Sequence, residues 1–155
     1  MATPPTTYDG TISVVQAILT TLTHILIKAE ESHPNAHSLL EARLYSYLAA
    51  RLTDRESVML GSKPTTFSEC YERIETVHKV LREAEKDVVN QQCDVVKPTS
   101  RGPLGAVDMS GAVYAHAIAL PNIYFHLMAA HGNLRKEGVP LGKMDYYQGF
   151  VPLQN

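Results

Sequence analysis

Apolar residues recur at three- and four-residue steps through four stretches of this chain, and polar or proline-bearing segments separate them. In the first stretch Val15, Ile18, Leu19, Leu22, Ile25, Leu26 and Ala29 share one face, and Ser13 with Gln16 forms a capping-box pair at its start. The pattern predicts a first helix from Ser13 to about Ser32, preceded by a flexible N-terminus over residues 1–10. The segment SHPNAH then breaks the helix at Pro34, and Ser38 with Glu41 repeats the capping signal. Leu40, Leu44, Tyr47, Leu48 and Leu52 give a second helix its apolar face. Its end has two readings: a stop and restart at the Thr53–Glu56 capping pair, or continuation to Gly61 and Pro64.

The third stretch has the cleanest period. Thr66 and Glu69 form another capping box, and Phe67, Cys70, Ile74, Val77, Leu81, Ala84 and Val88 follow in three-four alternation. Such a stripe fits a coiled-coil seam, but one face of an intramolecular bundle is the commoner outcome. No period is visible over residues 91–109, where Pro98, Gly102, Pro103 and Gly105 predict a long irregular loop. Ser110 caps a fourth helix that runs to about Lys136, with Gly138 as its C-cap. Residues 138–155 form a C-terminal tail, in which GVPLGKMDYYQGF predicts a defined turn anchored by Val139, Leu141, Tyr146 and Phe150. Lys143 and Asp145 are placed to pair with each other or to hold the tail against the helices.

Together these elements predict a single all-α domain over residues 1–155, a four-helix bundle. The connectivity has two solutions. Six residues from Gly61 to Thr66 reach only about 20 Å, whereas a helix ending at Leu52 leaves roughly 45 Å of extended chain and permits a crossover between helices two and three.

Composition narrows the function. The chain has 155 residues, 14 basic and 16 acidic, for a formal charge of -2, and neither sign gathers into a run. No phosphate-binding surface is evident, so nucleic acid is not an expected partner. The N-terminal stretch lacks the basic and apolar regions of a secretory signal, and by this reading no apolar stretch approaches the length that spans a bilayer, so no membrane partner and a cytoplasmic location are expected. Cys70 and Cys93 show no ligand spacing and suit a reducing compartment. Serine-nucleophile elbows, phosphate loops and zinc-protease helices are absent.

The chemistry that remains lies in the fourth helix. Pro121 falls about eleven residues into it, removes one backbone donor and crowds the carbonyl of Ala117, which predicts a kink or a broken turn. Asn122 and His126 are four apart, so the amide can reach the imidazole and select its tautomer. One reading makes His126 a core histidine satisfied by Asn122. The other makes it an acid, a base or a ligand in a pocket opened by the kink. His116 and His131 lie roughly 80° and 140° away around the helix, a poor metal-ligand spacing. His24, His33, His37 and His78 read as surface residues, and Tyr47, Tyr114 and Tyr124 as hydroxyl donors at the rim.

YDGTISVVQAILTTLTHILIKAEE, LLEARL, TTFSECYERIETVHKVL and, most specifically, ALPNIYFH with GVPLGKMDY resemble an uncharacterised domain-of-unknown-function family grouped with the DinB/YfiT-like helical bundles. The resemblance implies an up-down-down-up four-helix bundle, often dimeric, and so favours the crossover. Members of that superfamily commonly hold a divalent metal with three histidines, two of them one turn apart on the last long helix. Here the position one turn after His126 is Ala130, and the segment after LLEARL is shortened, so no metal and no cofactor are expected.

The leading functional expectation is a cofactor-free pocket for a small organic molecule, of isomerase, cyclase or dehydratase type. His126, Asn122 and Tyr124 are its catalytic candidates, and His116, Tyr114, Tyr47 and Lys143 its ligand-binding candidates. A noncatalytic module acting as a homodimer is the next reading. A metal-dependent DinB-like transferase or hydrolase follows, and it needs a third ligand from His116, Asp108 or Glu72.

Overall fold

A computed structural model of the chain describes residues 4–34, 51–52, 56–58, 60–61, 64–100 and 102–154. Helix α1 spans Thr7–Ser32 and begins six residues before the predicted start. Thr6 sets that boundary: its hydroxyl accepts the N–H of Asp9, while the Asp9 carboxylate accepts the N–H and hydroxyl of Thr6 at 2.9 and 2.8 Å. Residues 7–10, expected to be flexible, are therefore the first turn. An aspartate in place of the usual Glu or Gln hid the capping box, and Lys86 Nζ clamps the same carboxylate at 2.9 Å. Ile12, Val15, Ile18, Leu19, Leu22, Ile25 and Leu26 are almost wholly buried. Each such side chain contributes about 1.5–3 kcal/mol of burial free energy.

By length and composition α1 could cross a membrane, which the sequence reading did not credit. In this fold its apolar face is covered instead by the other helices and the C-terminal segment.

Helix α2 spans Phe67–Arg82 and opens with the predicted Thr66–Glu69 box. Phe67, Cys70, Ile74, Val77 and Leu81 face the core, so its stripe packs within the domain. The helix stops at Arg82, short of Val88, and a turn over 83–85 leads into α3, Lys86–Gln92. That turn shifts the register by one residue: Val89 is fully buried and Val88 only half so. Cys70 and Cys93 are both buried and are not joined in a disulfide.

Residues 91–109 are not an irregular loop. Strand β1, Val96–Ser100, pairs antiparallel with β2, Ala106–Ser110, in a register that sets Val96 against Ser110 and Ser100 against Ala106. The mostly helical domain thus carries a small two-stranded sheet, which corrects the all-α expectation. Backbone pairing rather than a buried face holds this hairpin: Val96 is 62% exposed and, of its ten residues, only Thr99 is buried. No apolar alternation could mark it, and Pro98 is tolerated because each strand of a two-stranded sheet is an edge strand.

The last long helix begins as predicted, with Ser110 Oγ accepting the N–H of Val113. Helix α4, Gly111–Tyr114, passes into a π-helical turn, Ala115–Ala119, and then into α5, Leu120–Lys136. The turn ends immediately before Leu120–Pro121, so the predicted disruption takes the form of a widened turn that relieves the ring–carbonyl clash. Gly138, at φ +90°, turns the chain back.

The C-terminal segment is held as the sequence implied. Val139 and Leu141 are buried, α6 spans Lys143–Tyr147, and a 3₁₀ helix, Gln148–Gln154, lies along α1. Gly149 donates its N–H to Thr21 Oγ1 at 2.9 Å, and the Thr21 hydroxyl donates to the Tyr146 carbonyl. A Cβ at position 149 would lie 1.9 Å from the Ala17 carbonyl oxygen, so only glycine fits. Phe150 stacks on Tyr146 and Tyr124 at 6.2 and 6.3 Å between ring centres.

Of the predicted second helix, Arg51 and Leu52 are described; both are helical, Leu52 is fully buried, and Arg51 Nη2 donates to the Met109 carbonyl. Its start at Ser38, Tyr47 and the Thr53–Glu56 restart, on which the choice of connectivity turns, are not among the described residues.

Gly149→Ala is expected to destabilise the protein by about 1–3 kcal/mol through overpacking, and to expose the chain after Gly142 to proteolysis. Gly132→Ala, where a Cβ meets nothing within 4 Å in mid-helix, should instead stabilise by about 0.5–1 kcal/mol. Denaturant unfolding with limited proteolysis checks both, and equal effects would refute the packing argument.

Candidate functional site

The residues singled out in the fourth helix do not assemble into one constellation. Asn122 and His126 are both partly buried but share no hydrogen bond, and His126 meets Phe125 edge-on at 5.4 Å. Ile123 and Leu127, on the neighbouring stripe, are the residues that enter the core. The π turn provides the Leu120 N–H to the Ala115 carbonyl, so backbone freed near Pro121 does not call on Asn122. His116 is exposed over α1 beside Gly10. Tyr124 is stacked on Phe150, and burial raises the pKa of its hydroxyl. Tyr114 is packed against the core, Lys143 lies over the Tyr147 ring, and Tyr47 is outside the described residues.

A different histidine is oriented by a carboxylate. Helix α1 presents His24 and Lys28 one turn apart, and the docking of α6 brings Asp145 to both, with Oδ1 at 2.8 Å from His24 Nε2 and 2.9 Å from Lys28 Nζ. The other carboxylate oxygen accepts the Gly142 N–H at 2.7 Å. Burial opposes ionisation of Asp145, but the hydrogen bonds from Gly142, His24 and Lys28 outweigh it and hold its pKa well below the ordinary carboxylate range. An ionised carboxylate only accepts, so Nε2 of His24 carries the proton. In the neutral ring the lone pair therefore resides on Nδ1, which has no hydrogen-bond partner among the described residues.

His24 lines a cleft of about 760 Å³ between α1 and α2, closed at one end by Gln148. Ile27 and Ile74 supply apolar wall, and His78, Tyr71 and Arg82 supply polar groups. Burial, aided by the neighbouring Arg82 charge and opposed by Glu75, lowers the His78 pKa, so this second imidazole is neutral at pH 7. Arg82 is hydrogen-bonded to Glu75. Tyr71 donates to Glu30 at 2.8 Å, and burial together with that bond pushes its hydroxyl pKa up. Two imidazoles on one cleft, one with a fixed tautomer and one held neutral, form a proton-transfer arrangement.

Sequence reading placed His24 and His78 on the surface. The only local signal was His24 one turn before Lys28, and nothing in the pattern joins residue 24 to residue 145. His131 is 6% exposed, with Nε2 3.1 Å from the Gly142 carbonyl. It lies in a second cleft, between α5 and α6, together with Lys143. His126 lines neither cleft.

Among the described residues, no group of three or more His, Cys, Asp or Glu side chains could hold a metal ion. Asp108 is exposed on β2 and Glu72 on α2, and neither completes a ligand set with His116 or His126. The described residues therefore do not fit the three-histidine centre of the DinB-like superfamily.

Residues 46–147 match the model of a domain of unknown function, DUF1993. The chain is also similar to a DinB family member protein from Shewanella denitrificans, whose crystal structure at 1.83 Å superposes with a TM-score of 0.74 at 25% identity, covering 90% of each chain. No curated protein matches. Asp145 and the second cleft fall inside the matched span and His24 outside it.

Because the folded-state pKa of Asp145 is depressed, its contribution to stability is present above the unfolded carboxylate value near 3.8 and is lost as pH falls below it. Asp145→Asn is expected to cost about 1–3 kcal/mol at pH 7, a cost that shrinks progressively as pH falls below about 4. Unfolding measured across that range checks this, and a pH-independent cost would contradict the clamp.

Proposed function

The chain belongs to the DUF1993 family, a domain of unknown function, and from that premise we propose that it binds a small organic molecule between α1 and α2 and moves a proton on it without a cofactor. The observation that carries this reading is the Asp145–His24 hydrogen bond at the edge of a cleft that also holds His78. In this scheme Nδ1 of His24 accepts a proton from the ligand, and Asp145 stabilises the imidazolium that forms. The His24 imidazolium then returns the proton at a second atom of the ligand, while His78, neutral at the start, hydrogen-bonds the ligand as its charge shifts. Proton removal at one atom and return at another is the common step of isomerisation, cyclisation and dehydration, which sets the reaction class. His24 and Asp145 thereby take the roles first assigned to His126 and Asn122.

The architecture in this reading is a DinB-type four-helix bundle. Its support is the 90% coverage of the DinB family structure. A cytoplasmic setting accords with two cysteines that form no disulfide.

A second reading, a homodimerising module, is favoured by one observation. Val113, Ala117, Pro121, Phe125 and Met128 follow one another at four- and three-residue steps along the last long helix and are all exposed. In that reading this stripe pairs with its copy, and Phe125→Asp converts a dimer to a monomer in sedimentation experiments.

Proton transfer is tested directly by deuterium exchange at carbon in D₂O, followed by NMR over a panel of small enolisable ketones and 2-oxo acids. The wild type is expected to accelerate exchange of at least one member. His24→Gln should reduce that acceleration about a hundredfold or more, with His78→Gln giving a smaller loss. No acceleration above buffer, or one unchanged in His24→Gln, would overturn the proposal.

A further inference from the structure

The second cleft is distinct from the His24 site and carries a charge pattern of its own. It has a volume of about 700 Å³, within the range of small-molecule sites, and lies between the C-terminal half of α5 and α6. Arg135, Lys136 and Lys143 all line it, and no acidic side chain does. The sequence explains this imbalance: Leu120–Lys136 contains no Asp or Glu, and the only acidic residue of α6, Asp145, is engaged by His24, Lys28 and Gly142. Glu137, the next residue after α5, does not line the cleft. Among the described residues, none of the three cations has a carboxylate partner; Lys143 lies 5.6 Å from the centre of the Tyr147 ring.

Arg135 and Lys136 complement the carbonyl end of α5, where cations are favoured. Lys143 has no such duty at the start of α6, and it projects into the same space from the GVPLGKMDY signature, which the proposed proton chemistry does not use. The remaining lining is flat or apolar: the rings of Tyr146 and Tyr147, the thioether of Met128, and Gly132, where a Cβ would meet nothing within 4 Å. His131 closes the floor with Nε2 committed to the Gly142 carbonyl, so the ring joins the two walls and fixes their spacing.

We propose that this cleft binds a small organic anion, with a carboxylate or phosphate head held by Arg135, Lys136 and Lys143 and a flat apolar body lying against Tyr146, Tyr147 and Met128. The head group is selected by three cations that have no carboxylate partner among the described residues, and the body by aromatic faces. The inference stands apart from the proton-transfer reading, since it shares no lining residue with the His24 cleft.

Ligand-observed NMR and calorimetry on the full chain test it with cinnamate, phenyl phosphate, cinnamyl alcohol and inorganic phosphate. At least one of the two aromatic anions should bind saturably at millimolar concentration or below, about tenfold tighter than cinnamyl alcohol or inorganic phosphate. Binding should weaken about tenfold in Lys143→Gln and in Arg135→Gln, and fall with added salt, while thermal unfolding confirms that both variants fold. Whichever anion binds tighter identifies the head group. Failure of both anions to bind, equal binding of the alcohol, or affinity unchanged in both variants would each overturn the assignment.

Discussion

The seating of the C-terminal segment on α1 is the constraint on which the rest of this structure depends. It is a contact of backbone against backbone: Gly149 lies so close to the Ala17 carbonyl that no side chain fits, and Thr21 accepts from Gly149 and donates to Tyr146. Thr21 is itself fully buried, so its hydroxyl is satisfied only because the segment is there. Val139 and Leu141 add apolar burial at the start of the segment, and the Asp145 clamp to His24 and Lys28 fixes its rotation over the helix.

Both clefts are products of that one contact. Gln148 closes the space between α1 and α2, while Lys143, Tyr146 and Tyr147 form one wall of the space beside α5. Asp145 points toward α1 from a helix whose Lys143, Tyr146 and Tyr147 line the second cleft. Its carboxylate therefore orients a histidine in the first site and leaves the second without a counter-ion. Loosening the segment would remove chemistry from both places at once, as expected where functional groups sit on separate elements held by a single interface.

Two local devices allow the helices to meet this way. The π turn over Ala115–Ala119 absorbs Pro121 and lets Ile123 and Leu127 stay in the core while Tyr124 stacks on Phe150. The break between Arg82 and Lys86 redirects the chain, so that Val89 is buried and Lys86 reaches Asp9 at the first turn of α1.

The helices with strong periodic stripes were legible from the sequence alone, because burial of one face writes a three-four repeat directly into residue type. α1, α2 and the Ser110 start of the last helix follow from it, as do the anchoring roles of Val139, Leu141, Tyr146 and Phe150. Membership of an uncharacterised domain-of-unknown-function family was legible too, through ALPNIYFH and GVPLGKMDY. The hairpin was not, since its strands bury almost nothing and are held by backbone pairing that no side-chain pattern records. Nor was the hydrogen-bonded pair His24 and Asp145, separated by 121 positions. A histidine beside an apolar stripe reads as surface until tertiary docking sets a carboxylate against it, and only that docking decided which imidazole is oriented for chemistry.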